Sequence, residues 1–215
     1  MNTTKSLVIL AFVSTTLLGA CASTGRERAN AAMMGMKATR TSIDNLIKAS
    51  DDGVAALNVL ATTGMNTPTA SYNKFCADLQ IIENEVSAMR SRQASMKANT
   101  AAFFKGWEEE MGAVKNAQIK QLAAERRKSL EESYDKVKMG VDQLKKDGNP
   151  YLDDLQDLKT YFDVDLTPAG ITASKPLIAT VTELSTVVKK DLQELSANIK
   201  NIEDLLAPTM PQPAK

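Results

Sequence analysis

Three consecutive glutamates, Glu108 to Glu110, directly follow the chain's only tryptophan, Trp107, in the sequence AAFFKGWEEEM. Carboxylates grouped in this way could hold a metal ion or exchange a proton with a substrate. On a helix, however, three successive side chains spread over about 200°, so these three cannot converge on one ion. The chain also has no histidine, the usual acid–base group near neutral pH and a common zinc ligand. We therefore expect no catalytic site, no metal site and no cofactor.

Cys21 is the residue whose surroundings point to a covalent modification. Residues 1–20 hold one positive charge, Lys5, and then an apolar run over residues 7–13. That run is too short to span a membrane and is typical of a cleaved secretory signal. The sequence LGAC at residues 18–21 resembles the bacterial lipobox, in which the thiol is diacylated, the signal is cut before the cysteine and the new amine is acylated. This resemblance predicts lipid attachment at Cys21.

The residue after Cys21 is Ala22 rather than aspartate, and by the same resemblance this favours the outer membrane of a Gram-negative cell, with the protein facing the periplasm. Removal of the signal takes away Lys5 and no acid, so the 26 basic side chains become 25 against 26 acidic ones. A balanced charge argues against nucleic acid as a partner. The short run at residues 125–128, ERRK, is diluted by one acid, and we interpret it as a solvated helix face rather than a site for anionic lipid. The expected partners are the membrane, through the acyl chains on Cys21, and a second copy of the chain or another envelope protein.

Cys76 is the one thiol that remains once Cys21 is acylated, so no internal disulfide can form. An odd cysteine in an exported protein can form an intermolecular disulfide with a second copy or a partner. The alternative is that Cys76 serves as a small, half-buried hydrophobic residue.

Apolar residues at helical spacing extend over most of the chain, and no segment alternates with period two, so we expect an all-α fold. A first helix covers residues 36–61 and ends before the loop formers at residues 64–68. A second seam runs from Tyr72 to Trp107 in steps of three and four residues, which is typical of a helical bundle or coiled coil. After Trp107 the pattern thins until Leu130.

Two further breaks are predicted, at residues 147–150 (DGNP) and 165–170 (DLTPAG), with the last helix starting near Ser174. Between Gly106 and Ser129 two interpretations remain: one helix over residues 70–147, or a turn back near residues 112–118, which buries more surface. The expected architecture is an elongated antiparallel helical bundle or coiled coil.

These boundaries divide the chain into four parts. They are a lipoprotein signal peptide (1–20), an acylated cysteine with a flexible tether (21–30), a helical bundle domain (31–206) and a proline-rich disordered tail (207–215).

The aromatic residues before the glutamates have two interpretations. Phe103 and Trp107 continue the seam of the second helix, and Phe104 lies about 100° round from Phe103 and widens the apolar stripe. The first interpretation is packing in the core of the bundle. The second is a cluster that contacts a ligand or a partner at the end of the bundle, where large aromatic side chains would be partly exposed.

Several short motifs resemble an uncharacterised family of bacterial helical coiled-coil lipoproteins, and the resemblance covers roughly residues 70–206. The motifs are Tyr72-Asn73-Lys74, then Phe103-Phe104-x-x-Trp107-Glu108-x-Glu110, then Ser129, Tyr134, Pro150-x-Leu152 and Leu158-Lys159. Members often carry a histidine and asparagines after the Leu-Lys pair, where this chain has TYFD at residues 160–163. The family has no established activity, so the resemblance implies the architecture and leaves the function open.

Two functions follow as expectations. The first is a periplasm-facing envelope lipoprotein that acts as a non-enzymatic helical scaffold or protein-interaction module. The alternative is a carrier or sensor of a lipid or other apolar ligand in the bundle core, because the ten methionines of the chain, one of them in the signal, could line an adaptable cavity.

Overall fold

The protein, as a computed structural model, is described at residues 24–63 and 67–207, and nearly all of these residues belong to four α-helices. The helices are α1 (Gly25–Thr62), α2 (Pro68–Gly112), α3 (Ala117–Val164) and α4 (Pro168–Leu206). Within the described ranges there is no β-strand. The predicted all-α fold is therefore confirmed.

The helices run up, down, up and down in chain order, because each connection between them is short. α1 packs between α2 and α4, and α3 packs mainly on α4, whereas α2 and α3, although neighbours, touch each other far less. Helices of 38 to 48 residues are roughly 55 to 70 Å long, so the bundle is elongated. At one end of the bundle α1 begins, α2 turns into α3, and α4 ends. We call this end the N-terminal end and the opposite end the distal end.

Polar side chains fix where three of the helices begin. Thr24 and Glu27 form a capping box, in which the Thr24 Oγ1 accepts from the Glu27 N–H at 3.3 Å and the Glu27 carboxylate accepts from the Thr24 N–H at 2.7 Å. The Asn116 Oδ1 accepts from two backbone N–H groups at the start of α3, and the Thr167 Oγ1 accepts from the Gly170 N–H at 3.2 Å. Each bond satisfies a backbone donor that a helix start leaves unpaired.

The structure corrects three of the predicted boundaries. α3 continues through Pro150, so the predicted break at residues 147–150 is wrong. α4 begins at Pro168 rather than near Ser174. Residues 25–30, which the prediction assigned to the flexible tether, already belong to α1. An interior proline costs about 3 kcal/mol of helix stability. In α3 the burial of four large side chains beyond it offsets that cost: Tyr151, Leu155, Leu158 and Phe162.

The chain turns back at residues 113–116, between α2 and α3, within the predicted interval of 112–118. The interpretation with a turn is therefore confirmed, and a single helix over residues 70–147 is excluded.

Burial in the core is continuous along α1 and α4 but interrupted along the other two helices. α2 has no buried residue between Ile82 and Phe103, and α3 has none between Val137 and Tyr151. The largest fully buried side chains include Met36, Ile43, Leu57, Leu60, Phe75, Leu79, Leu130, Leu155, Leu158, Phe162, Ile171 and Leu192. α2 and α3 thus pack on the core at both ends and separate in the middle of the bundle.

Gly170→Ala is expected to destabilise the protein, although alanine normally favours a helix. A Cβ at this position would lie 2.5 Å from the backbone oxygen of Asp165 and 2.6 Å from its carboxylate, so the turn into α4 must open. We expect the free energy of unfolding to fall by about 1–3 kcal/mol, measured by urea unfolding. Gly148→Ala is the matched control, because the nearest atom to its Cβ is on Leu144 at 3.8 Å. It should stabilise α3 by about 0.5–1 kcal/mol, and equal responses of the two variants would contradict the packing described.

Candidate functional site

An opening between α2 and α3 exposes the inside of the bundle at mid-length. We call it the central cleft; its cavity has a volume of about 120 Å³. Its floor is formed by α1 and α4, and its walls by α2 and α3. The apolar lining residues are Leu46 of α1, Ile82, Val86, Met89 and Met96 of α2, Val141, Leu144, Tyr151 and Leu152 of α3, and Val188, Leu192, Leu195 and Ile199 of α4.

At the distal end a polar network joins α2 to α3. The Tyr72 hydroxyl donates to the carboxylate of Asp163, and the Gln156 amide donates to Glu83 Oε1 at 2.7 Å. Lys159 also donates to Asp163, at 2.6 Å. The hydrogen bond from Lys159 lowers the pKa of Asp163 most, and the hydrogen bond from Tyr72 lowers it further. Burial raises the pKa of Tyr72, so its hydroxyl stays a donor. This network holds the cleft closed at its distal end.

Toward the N-terminal end an aromatic contact joins the same two helices. The rings of Phe104 and Tyr134 pack edge to face with centroids 5.4 Å apart, and the guanidinium of Arg127 lies 5.9 Å from the centre of the Phe104 ring. Arg127 Nη1 also lies 3.5 Å from Glu108 Oε2. α2 and α3 are in contact at both ends, and the described residues between these ends form no contact of comparable size, which explains why the two helices separate at mid-length.

The polar groups at the floor of the cleft are already satisfied within the protein. The Ser50 and Tyr151 hydroxyls are hydrogen-bonded to each other at 2.6 Å, and burial raises the pKa of Tyr151 to about 12. The Thr39 hydroxyl donates to the Gly35 carbonyl at 2.9 Å. The interior surface of the cleft is therefore apolar and uncharged at neutral pH.

The charged residues that line the cleft are both basic. Arg90 of α2 is exposed at the rim and makes no ion pair within the described ranges, and Lys145 of α3 lies opposite, with its Nζ 3.9 Å from Asp142 Oδ1. The amides of Gln93 and Asn149 complete the polar rim. Among the described lining residues none is a carboxylate, so Arg90, which has no ion pair there, makes the mouth of the cleft favour an anionic group over a cationic one.

The predicted aromatic cluster is assembled, but outside the central cleft. The centroid of the Phe103 ring lies 5.4 Å from the centroid of the Phe104 ring and 5.6 Å from that of Trp107. Phe103 is buried, and Phe104 and Trp107 are half-buried against the core. Phe103 and Trp107 line a separate cavity of about 240 Å³ at the N-terminal end, which we call the end cavity, whereas Phe104 faces α3.

The three glutamates after Trp107 pair with three different elements, as their angular spread requires. Glu108 lies near Arg127 of α3, Glu109 lies 3.9 Å from Lys105 of α2 itself, and Glu110 pairs with Arg28 of α1. They position helices and do not form a common site.

The two cysteines are in different situations. Cys21 lies outside the described residues, so lipid attachment there stays a prediction. Cys76 is half-buried and packs against the core, and an intermolecular disulfide through it also stays a prediction. Among the described residues no group of cysteine or acidic side chains is arranged to hold a metal ion. None of the described helices has an apolar stretch long enough to cross a membrane.

Asp191 of α4 is expected to lower stability at neutral pH. Burial, and then the nearby carboxylate of Asp147, raise its pKa above the ordinary value. The folded state therefore favours the protonated form of Asp191. Ionisation lowers the free energy of unfolding when the pH is above the pKa of the folded state, and this loss disappears as the pH falls below the ordinary pKa of an aspartate. Asp191→Asn should raise the melting temperature by about 1–3 °C at pH 7 and leave it unchanged near pH 3.

Thermal unfolding followed by circular dichroism across this pH range measures the effect. Asp153→Asn, at an exposed position of α3, is the control and should change the melting temperature at neither pH. A gain for Asp191→Asn that is equal at both pH values would contradict the explanation by ionisation.

Sequence reasoning offered an apolar cavity in the bundle core as an alternative but did not locate the central cleft, although one signal of its position was present. Gln93 occupies an inward position of the seam on α2, where the positions on either side hold Met89 and Met96. A polar residue in an otherwise apolar seam indicates a position that is not fully enclosed.

The fold and the cleft define an all-α, four-helix-bundle protein with an apolar opening between two of its helices. The model of a family described as "Protein of unknown function (DUF2959)" matches residues 19–208, and the chain belongs to this family. The match includes all four helices. The predicted membership of an uncharacterised family is thus confirmed. Comparisons with curated proteins and with solved structures give no match to either.

Proposed function

We propose that this protein is a lipid-anchored component of the bacterial envelope that binds, without chemical conversion, the acyl chain of an anionic amphiphile in its central cleft. The observation that carries the proposal is the cleft itself, whose apolar interior opens between two basic side chains, Arg90 and Lys145. An amphiphile with one acyl chain and a carboxylate head matches this arrangement, because its chain needs apolar surface and its head needs positive charge and water.

The size of the cleft favours an acyl chain over a bulkier ligand. An engineered apolar cavity of about 150 Å³ in another protein binds benzene, so the central cleft, at about 120 Å³, can enclose a few methylene groups. Each enclosed methylene contributes about 0.8 kcal/mol. The rest of the chain can lie along the opening between α2 and α3, where Met89 and Met96 can change rotamer to cover it.

The proposed location rests on the sequence around Cys21. A signal of residues 1–20 whose last three residues form LGAC together with Cys21 supports acylation of that cysteine, and Ala22 supports the outer membrane of a Gram-negative cell, with the bundle facing the periplasm. An anchored protein in that compartment would meet fatty acids and lipids at the membrane surface, which suits a carrier or a sensor.

The non-enzymatic scaffold is the second candidate, and one observation favours it. α2 carries inward positions from Val86 to Met96 that α3 leaves uncovered, and a partner helix could pack on them. A helix is about 10 Å wide, and α2 and α3 are joined at both ends, so these two helices would have to separate to admit it. The carrier requires a smaller rearrangement and is the function that the geometry supports best.

The experiment is a comparison of two ligands with the same chain length and opposite charge. The mature chain from residue 22 retains all four helices and can be exported and purified without detergent. Dodecanoate should bind in a one-to-one ratio, seen by native mass spectrometry, and stabilise the protein by about 2.7 kcal/mol at one hundred times its Kd. Dodecylamine should bind at least about tenfold more weakly, since the rim is basic. Absence of a dodecanoate complex, with a dimer or a co-purifying helical protein instead, would favour the scaffold.

A further inference from the structure

The surface at the turn between α2 and α3 combines exposed apolar side chains with positive charge. We propose that this hairpin tip, residues 112–122, lies on the surface of the anchoring membrane and contacts its anionic lipids. The inference rests on the proposed acylation of Cys21, which places the N-terminal end of the bundle at a membrane.

The first observation is exposure. Every residue from Lys115 to Leu122 is exposed, because α3 extends past the other helices here. Ile119 and Leu122 are 49% and 66% exposed and lie three residues apart, on one face of α3. Two large aliphatic side chains on such an isolated projection have no core to pack against, and insertion at a membrane interface would bury them.

The second observation is reach. Arg126 Nη2 donates to the Leu205 carbonyl at 2.7 Å, so α4 ends level with Arg126. Gly25, the first residue of α1, lines the end cavity together with Arg126, so α1 begins near the same level. The nine residues of α3 that precede Arg126 project about 13 Å beyond this level. Cys21 lies only three residues before Thr24, the cap of α1, and those residues span at most about 10 Å. With the bundle upright on its anchor, the hairpin tip therefore reaches the membrane.

The third observation is charge. The hairpin tip contains two lysines, Lys115 and Lys120, and no acidic residue. Neither lysine forms an ion pair within the described ranges. A basic residue close to an anionic membrane surface contributes about 1 kcal/mol, and the anchor supplies the effective concentration that makes such a weak contact persistent. The run at residues 125–128 adds less, because Arg126 and Arg127 are already bonded to α4 and to glutamates.

The test places an environment-sensitive fluorophore on the hairpin tip of the acylated, full-length mature protein. Leu122→Cys in a Cys76→Ser background provides one labelling site, and Val164→Cys in the same background provides the control at the exposed distal end. Both proteins are reconstituted into vesicles of phosphatidylethanolamine and phosphatidylglycerol that contain a lipid-borne quencher. We expect quenching at position 122 to be at least about threefold stronger than at position 164, because an interfacial helix lies about 5–10 Å below the headgroup surface.

Two results would overturn the proposal or its basis, and they can be told apart. Equal quenching at positions 122 and 164, in protein whose mass shows acylation of Cys21, would overturn the membrane contact and leave the anchor intact. A protein that carries no acyl mass and does not bind vesicles would overturn the anchor itself. The double variant Lys115→Glu, Lys120→Glu keeps the fold, since both residues are exposed, and should lower the quenching at position 122 toward the control value.

Discussion

Gly148→Phe is expected to reduce the affinity of the protein for dodecanoate by at least about tenfold while the bundle stays folded. Gly148 lines the central cleft from the α3 side, and its nearest neighbour across an added Cβ, Leu144 Cδ1, is 3.8 Å away. A phenyl ring at this position would occupy space that the acyl chain needs. Displacement of two methylene groups removes about 1.6 kcal/mol of burial, which is slightly more than a tenfold change in Kd.

Isothermal titration calorimetry with dodecanoate measures this loss, and two further variants show which part of the site acts. Gly148→Ala adds one methyl group in ordinary van der Waals contact with Leu144 and should leave the Kd within about twofold of the unsubstituted protein. Arg90→Gln should weaken binding of dodecanoate and leave binding of dodecanol unchanged, because only the carboxylate needs the positive charge. Unchanged affinity in a folded Gly148→Phe variant would show that the acyl chain does not occupy the central cleft.

Phe162→Ala is expected to lower the free energy of unfolding by about 3–5 kcal/mol. Phe162 is 1% exposed, and its ring packs edge to face on Tyr72 of α2, with centroids 6.0 Å apart, and on Tyr161 at 5.6 Å. The substitution removes buried apolar surface and leaves a cavity where α2 and α3 are joined, so both the transfer and the cavity contributions apply.

Urea unfolding followed by circular dichroism gives the loss for Phe162→Ala directly. Val164→Ala, two residues further along the same helix, is the control, because Val164 is 87% exposed and its substitution should change stability by no more than about 0.5 kcal/mol. A loss for Phe162→Ala below about 1 kcal/mol would mean that the distal contact between α2 and α3 is not packed as described.

The spacing of apolar residues determined which faces of the helices are buried. The seam from Tyr72 to Ile82 and the return to burial at Phe103 follow the three-four pattern, and so do the buried positions of α4 from Val188 to Ile202. This part is predictable because helical periodicity is a local property, set by about 3.6 residues per turn and by the exclusion of apolar surface from water.

Local signals misplaced the helix ends wherever tertiary packing opposed them. Pro150 and the sequence DGNP predict a break, yet α3 continues because the residues that follow bury the same face against the core. The start of α4 at Pro168 likewise precedes the prediction, since Thr167 caps it and Ile171 is buried one turn later. A single proline is outweighed when several large side chains are buried beyond it.

The sequence by itself determined an all-α chain of long amphipathic helices and the grouping of Phe103, Phe104 and Trp107 on one helix, and it predicts a signal that ends within LGAC. Only the tertiary structure decided that α2 and α3 touch at both ends and separate at mid-length, which creates the central cleft. The distance between these two helices depends on contacts such as Tyr72 with Asp163 and Phe104 with Tyr134, which join residues far apart in the chain. Periodicity shows that a side chain faces inward, but whether a neighbouring helix covers it depends on how all four helices pack together.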